Sequence, residues 1–201
     1  MPDERPILWA TAVVPSADRS GRTAAGRALA LQLLMALGGT GWTLEADGQG
    51  KPVAHGPLVR HVSIAHSRDM VAAVASVVGP IGIDIEYRNP ARDLDRLAEA
   101  AYGAEERRAV AACGIAAFYR IWTVREAISK ATGDGMALVA DRTDRVPPAM
   151  TDGRFVAADG EWLLAHEVIA PDFSLALAAQ VALPQDRRAV LAHSLASLRA
   201  A

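Results

Sequence analysis

The sequence predicts an α+β fold of two similar halves, and three observations carry that prediction. Ile81-Gly82-Ile83-Asp84-Ile85-Glu86 alternates β-branched residues with Gly82, Asp84 and Glu86, a period of two that specifies a strand. Trp122, Glu126 and Lys130 recur at steps of four, which places them on one helix face. Asp69-Met70-Val71-Ala72-Ala73-Val74-Ala75 resembles Asp172-Phe173-Ser174-Leu175-Ala176-Leu177-Ala178, half a chain later. A duplication of this kind predicts halves near 1–98 and 99–201 with a pseudo-twofold cleft between them.

The elements follow in order. Ile7 to Val14 reads as a first strand. Asp18-Arg19-Ser20-Gly21 leads into a helix rich in alanine and leucine that Gly38-Gly39 ends. Trp42 to Ala46 is a short strand, and Asp47 to Pro52 a turn that presents Lys51. Val59 to Ala65 and Met70 to Ser76 form a hairpin around His66-Ser67. After the acidic strand come helical segments over Leu94–Tyr102, Ala104–Cys113 and Ile115–Thr132, the last closed by Gly133-Asp134-Gly135. Asp141 to Gly153 is polar, holds Pro147-Pro148 and reads as a loop. Strands are expected over Arg154–Ala157, Glu161–Ala170 and Phe173–Val181, and a short helix over Ala189–Leu198.

Composition narrows the class. Hydrophobic content of 51% with 22% charge describes a globular chain of 201 residues. A net charge of -2 argues against general nucleic-acid binding. One cysteine, Cys113, precludes an internal disulfide and suits a reducing compartment. No apolar run is long enough for a membrane span, and the start lacks signal-peptide character. A cytoplasmic location without membrane contact is expected. The chain has 19 arginines but only two lysines, Lys51 and Lys130. Where arginine serves as the general cation, a retained lysine marks a place for a compact ammonium.

Asp84 and Glu86 project from the same strand face, where two carboxylates repel and hard oxygen ligands suit magnesium. The same alternation also describes a solvated acidic edge strand. Glu126 and Lys130 could be a surface pair worth about 0.2–0.5 kcal/mol, but the scarcity of lysine favours a functional reading. Arg22 and Thr23, with Arg19 and Arg27, gather at a helix start that could take phosphate. His66 and Ser67 sit at a strand end where they could donate to a phosphate.

Taken together, Gly50-Lys51-Pro52, Ser63-Ile64-Ala65-His66-Ser67, Gly82 to Glu86, and Trp122-Thr123-Val124-Arg125-Glu126-Ala127 followed by Lys130 and Gly133 resemble the 4'-phosphopantetheinyl transferases of the surfactin-synthetase-activating type. Four blocks in order are more specific than any one, and they span roughly residues 20 to 180. The resemblance implies a 4'-phosphopantetheinyl transferase fold, with the site in the cleft between the two halves. It implies transfer of phosphopantetheine from coenzyme A to a serine of an apo acyl or peptidyl carrier protein, releasing 3',5'-ADP. It further implies that Asp84, Glu86 and Glu126 hold magnesium and that Lys130 neutralises the transferred phosphate. Arg22, Thr23, Lys51, His66 and Ser67 would grip the 3'-phosphate and adenosine end, and Glu106 would help deprotonate the acceptor. With the two-half architecture, a monomer is expected.

There are departures. Ser63 and Ala65 replace the family's usual Asn and Ser, and Arg125 stands where lysine is common. Two rival classes stay open: a coenzyme A or carrier-protein binding module without transfer, and a magnesium-dependent phosphohydrolase using the same carboxylates.

Overall fold

The computed structural model describes residues 7–14, 18–135, 141–146, 155–158, 162–169 and 172–180. It is a mixed α+β fold of stacked layers. The helix expected over Ala189–Leu198 lies outside the described residues.

The first layer is α1 (Arg19–Ala36), capped by the Asp18 carboxylate, which accepts from the Gly21 N–H at 2.8 Å. It packs on a three-stranded sheet of order β1-β5-β4, where β1 is Ile7–Val13, β4 His61–Ser67 and β5 Met70–Ser76. Gly26 permits the approach: a Cβ there would lie 2.6 Å from Ile64 Cγ2. Between α1 and this sheet sit Ala30, Leu34, Val62, Ala73 and Ala75. A small hairpin of β2 (Thr43–Ala46) and β3 (Pro52–His55) flanks them. The sequence reading has no strand at β3, because four residues that open on a proline carry too little pattern. It also begins β4 two residues early, at Val59, which is 80% exposed.

The second sheet has the order β6-β9-β8-β7, with β6 at Ile81–Tyr87, β7 at Phe155–Ala158, β8 at Trp162–Ile169 and β9 at Phe173–Gln180. All its pairings are antiparallel. Its inner face presents Ile81, Ile83, Ile85, Leu175 and Leu177 to Ile7, Trp9, Ala72 and Val74 of the first sheet, one shared apolar core. The outer face is covered by α3 (Ala104–Thr132), over Ala176, Ala178 and Leu164, and α2 (Leu94–Ala101) packs on α3.

Each repeated segment occupies an interior strand. β5 lies between β1 and β4, and β9 lies between β6 and β8. Asp69 O accepts from Val14 N, and Asp172 O accepts from Arg88 N, both at 2.7 Å. β6 precedes the expected boundary near residue 98 yet hydrogen-bonds to β9 in the second sheet.

The sheets meet where β4 runs beside β6, and serine hydroxyls replace a backbone ladder there. Ser63 Oγ accepts from Ile83 N at 3.2 Å, and Ser67 Oγ accepts from Tyr87 N at 3.0 Å. This gives Ser63 a structural duty. Ser63→Ala leaves a buried N–H unpaired and should lower stability by about 1–3 kcal/mol, read as a shift in denaturant midpoint.

Helix α3 contains one non-helical residue, Gly114 (φ 59°, ψ −137°), at the break the sequence places between Cys113 and Ile115. Ala111 to Gly114 are exposed. From Ile121 to Ser129 the helix is buried except at Trp122 and Glu126, and Lys130 follows as the next half-buried residue on that stripe.

Candidate functional site

The alternation of β6 fixes the site. With its isoleucines turned to the core, Gly82, Asp84 and Glu86 face α3. Gly82 sets how near the helix comes: a Cβ there would stand 1.9 Å from Ala127 O and 2.8 Å from Ala131 N. The strand backbone therefore touches the helix backbone. Residues on either side of Ala127, namely Glu126 and Lys130, are carried to the carboxylates of β6.

Lys130 Nζ donates to Asp84 Oδ1 at 2.6 Å. The cation therefore serves the strand rather than forming a surface pair with Glu126. Asp84 is 5% exposed, and its Oδ2 is buried without a hydrogen-bond partner. Glu86 Oε2 accepts from Ser67 Oγ at 2.9 Å. Glu86 and Glu126 are both pushed above their ordinary carboxyl pKa, first by burial and then by the negative charge of Asp84. Ser67 and Lys130 partly offset this at Glu86.

The carboxyls therefore form an electrostatically strained group with one spare buried oxygen, and that fits a hard divalent cation. Among the described residues no three His, Cys, Asp or Glu side chains are gathered as a ready metal cage. Lys130 already holds one Asp84 oxygen, and Ser67 holds one Glu86 oxygen.

The strain has a sign. An acid whose folded pKa is raised favours folding fully below its unfolded pKa, near 4.5. That contribution is lost as pH rises through the raised value. Glu126→Gln should therefore melt above the parent in metal-free buffer at mildly alkaline pH. The advantage should vanish below the ordinary carboxyl range, as thermal melts across pH would show.

A cleft of ≈ 310 Å³ opens beside the carboxylates, lined by Lys51, Ser63, Glu126, Ser129 and Lys130 among others. Lys51 Nζ donates to Ala131 O at 3.2 Å, at the C-terminal end of α3. Burial lowers its pKa, with Asp47 opposing. The two lysines of the chain thus share one cleft with Glu126.

The structure does not bring every expected residue here. Thr23 is exposed, and its hydroxyl donates to Arg19 O within α1. Arg22 is half-buried on the same helix turn. His66 is exposed at the end of β4, next to Ser67.

The family resemblance offers Glu106 as an aid to deprotonating the acceptor, and the structure places it in the buried start of α3 at 3% exposure. Its Oε2 accepts from Arg125 Nη2 at 2.6 Å and Gly103 N at 3.2 Å. Its Oε1 accepts from Arg125 Nε, Arg145 N and Val146 N. Both oxygens are committed, so this carboxylate holds backbone in place.

Sequence reasoning missed the partner of that carboxylate. Arg125, fully buried, also donates to Ala101 O at 3.1 Å, to Asp141 Oδ1 at 3.4 Å and to Thr143 O. An arginine beside Glu126, where the resembling family commonly has lysine, was the available signal, but an arginine-rich chain hides it.

Comparison with known proteins gives a consistent set. The 4'-phosphopantetheinyl transferase superfamily pattern matches residues 80–180, half of the chain. The chain is 31% identical over 98 residues to the 4'-phosphopantetheinyl transferase HetI of Nostoc sp., covering 45% of this chain and 41% of that protein. It is 32% identical over 107 residues to AcpT of Salmonella typhi, covering 51% and 56%. It is 35% identical over 97 residues to psf-1 of Bacillus pumilus, covering 46% and 40%. Both of those are also named 4'-phosphopantetheinyl transferases. The chain thus spans about half the length of the relatives it matches.

Proposed function

The chain belongs to the 4'-phosphopantetheinyl transferase superfamily, and from that premise we propose that it moves 4'-phosphopantetheine from coenzyme A to a serine of an apo carrier protein. The leaving group is 3',5'-ADP. The observation that carries this reading is the Lys130–Asp84 contact, 46 residues apart in sequence, beside Glu86, Glu126 and the Lys51-lined cleft. The order of the four sequence blocks supports the surfactin-synthetase-activating type. The interior placement of β5 and β9 supports two related halves with one site between them, acting as a monomer, and the strand pairing favours β6 as the opening of the second half.

Phosphoryl transfer needs positioning and charge neutralisation more than covalent chemistry. Asp84, Glu86 and Glu126 would hold magnesium, which supplies Lewis-acid neutralisation of the pyrophosphate. Lys130, a compact cation already anchored by Asp84, would meet the charge of the transferred phosphate. Lys51 and His66 would bind the distal phosphate and adenosine end. Ser67 gives its one proton to Glu86 Oε2 and fixes that rotamer, so this hydroxyl shapes the acidic group instead.

The test is a single turnover with labelled coenzyme A, magnesium and an apo carrier protein. Label on the carrier supports the reading. Free phosphopantetheine would show a hydrolase, and neither product a binding module. Within that assay Lys130→Arg should lower turnover by ~10²–10³, because a planar guanidinium cannot replace a point-like ammonium. Lys51→Arg should mainly raise the Michaelis constant for coenzyme A. Parental kinetics in both variants would refute the roles assigned to these lysines.

A further inference from the structure

A second concave surface lies away from the carboxylates, where the end of α2, the first turn of α3 and residues 141–142 meet. It encloses ≈ 330 Å³ and is lined by Arg96, Glu99, Ala100, Tyr102, Arg107 and Arg142. Among the described residues, three guanidinium groups thus share one space with a single carboxylate, that of Glu99. No carboxylate among the described residues forms an ion pair with Arg96, Arg107 or Arg142.

Arg142 is held there by specific contacts. Its N–H donates to Ala101 O at 3.3 Å and its Nε to Ala100 O at 3.1 Å. Its backbone is left-handed, at φ 57°, a conformation that non-glycine residues adopt at a cost. The left-handed backbone places Arg142 beside Arg96 and Arg107, and with Glu99 the one carboxylate described at this concavity, its lining carries a net positive charge that an anion would offset. Guanidinium forks match the tetrahedral oxygens of phosphate.

We propose that this pocket is a second anion site, one that takes a phosphate-class oxyanion on Arg96, Arg107 and Arg142. It is separate from the carboxylate cluster and does not rest on the transferase reading. The pocket also touches the buried network: Ala101 O accepts from both Arg142 N and Arg125 Nη1, and the Arg125 guanidinium lies 5.2 Å over the Tyr102 ring. An anion bound here therefore adjoins the residue that precedes Glu126.

The experiment follows arginine Nε–H resonances of the full chain, labelled at arginine, as inorganic phosphate is added in chelator at fixed ionic strength. Single variants Arg96→Gln, Arg107→Gln and Arg142→Gln assign the signals. The expected result is saturable shifts at these three residues. Arg96→Gln and Arg107→Gln, both at exposed positions, should each weaken binding about tenfold or more. Lys51→Gln/Lys130→Gln should leave the midpoint at these signals unchanged. Absence of saturable shifts would overturn the site. So would equal weakening by Arg108→Gln, which lies outside the pocket, or loss of the shifts in the lysine double variant.

Discussion

Arg125→Ala should lower stability by about 3–5 kcal/mol, because it strands a buried carboxylate. The guanidinium is fully buried and holds Glu106 through two nitrogens, along with the Ala101 and Thr143 carbonyls. Removing it leaves the Glu106 carboxylate without its guanidinium at 3% exposure and takes from segment 141–146 the bonds to Asp141 and Thr143. Arg125→Lys should recover only part of the loss, since an ammonium cannot span the same acceptors. Chemical denaturation of the parent, the two single variants and Glu106→Gln/Arg125→Met would decide the matter. If the paired neutral variant falls as far as Arg125→Ala, the ion pair is not the cause.

Gly82→Ala should damage stability and activity together. Its new methyl would stand 1.9 Å from Ala127 O, and a backbone atom cannot rotate away. Overpacking of this kind costs about 1–3 kcal/mol, and a rigid helix puts this case at the upper end. Relief requires α3 to lift from β6, which draws Lys130 from Asp84 and Glu126 from the strand carboxylates. Turnover should therefore fall much further than the folded fraction does. A variant that stays folded with parental turnover would show that helix and strand can separate without harm to the site.

These two cases show what the sequence discloses. Asp84 and Glu86 are legible because a two-residue period assigns a shared face, and the isoleucines between them name the buried side. Trp122, Glu126 and Lys130 are legible as a stripe, and the structure keeps that stripe half-buried on an otherwise buried stretch. The partner of Lys130 is another matter. Spacing suggests Glu126, but the contact is to Asp84 on another element, and no local period encodes a pairing 46 residues apart. Glu106 carries a local explanation at the start of a helix, where carboxylates are favoured. Its pairing with Arg125 spans 19 residues and a break in the helix. Ser63 reads as a departure from a family pattern, but its hydroxyl joins the two sheets. Gly82 reads as a gap in an alternation, although that gap brings the helix down onto the strand.

The interruption at Gly114 has a further consequence for how the chain can vary. The residues from Ala111 to Gly114 face solvent, and the helix on either side is secured elsewhere, by Glu106 before the break and Arg125 after it. The junction itself carries little of the core. A few inserted residues between Cys113 and Ile115 would bulge outward and leave both helical pieces where they are. Relatives of different length could differ there without moving Glu126 or Lys130, and a peptide tag or a fluorophore on Cys113 should be tolerated there.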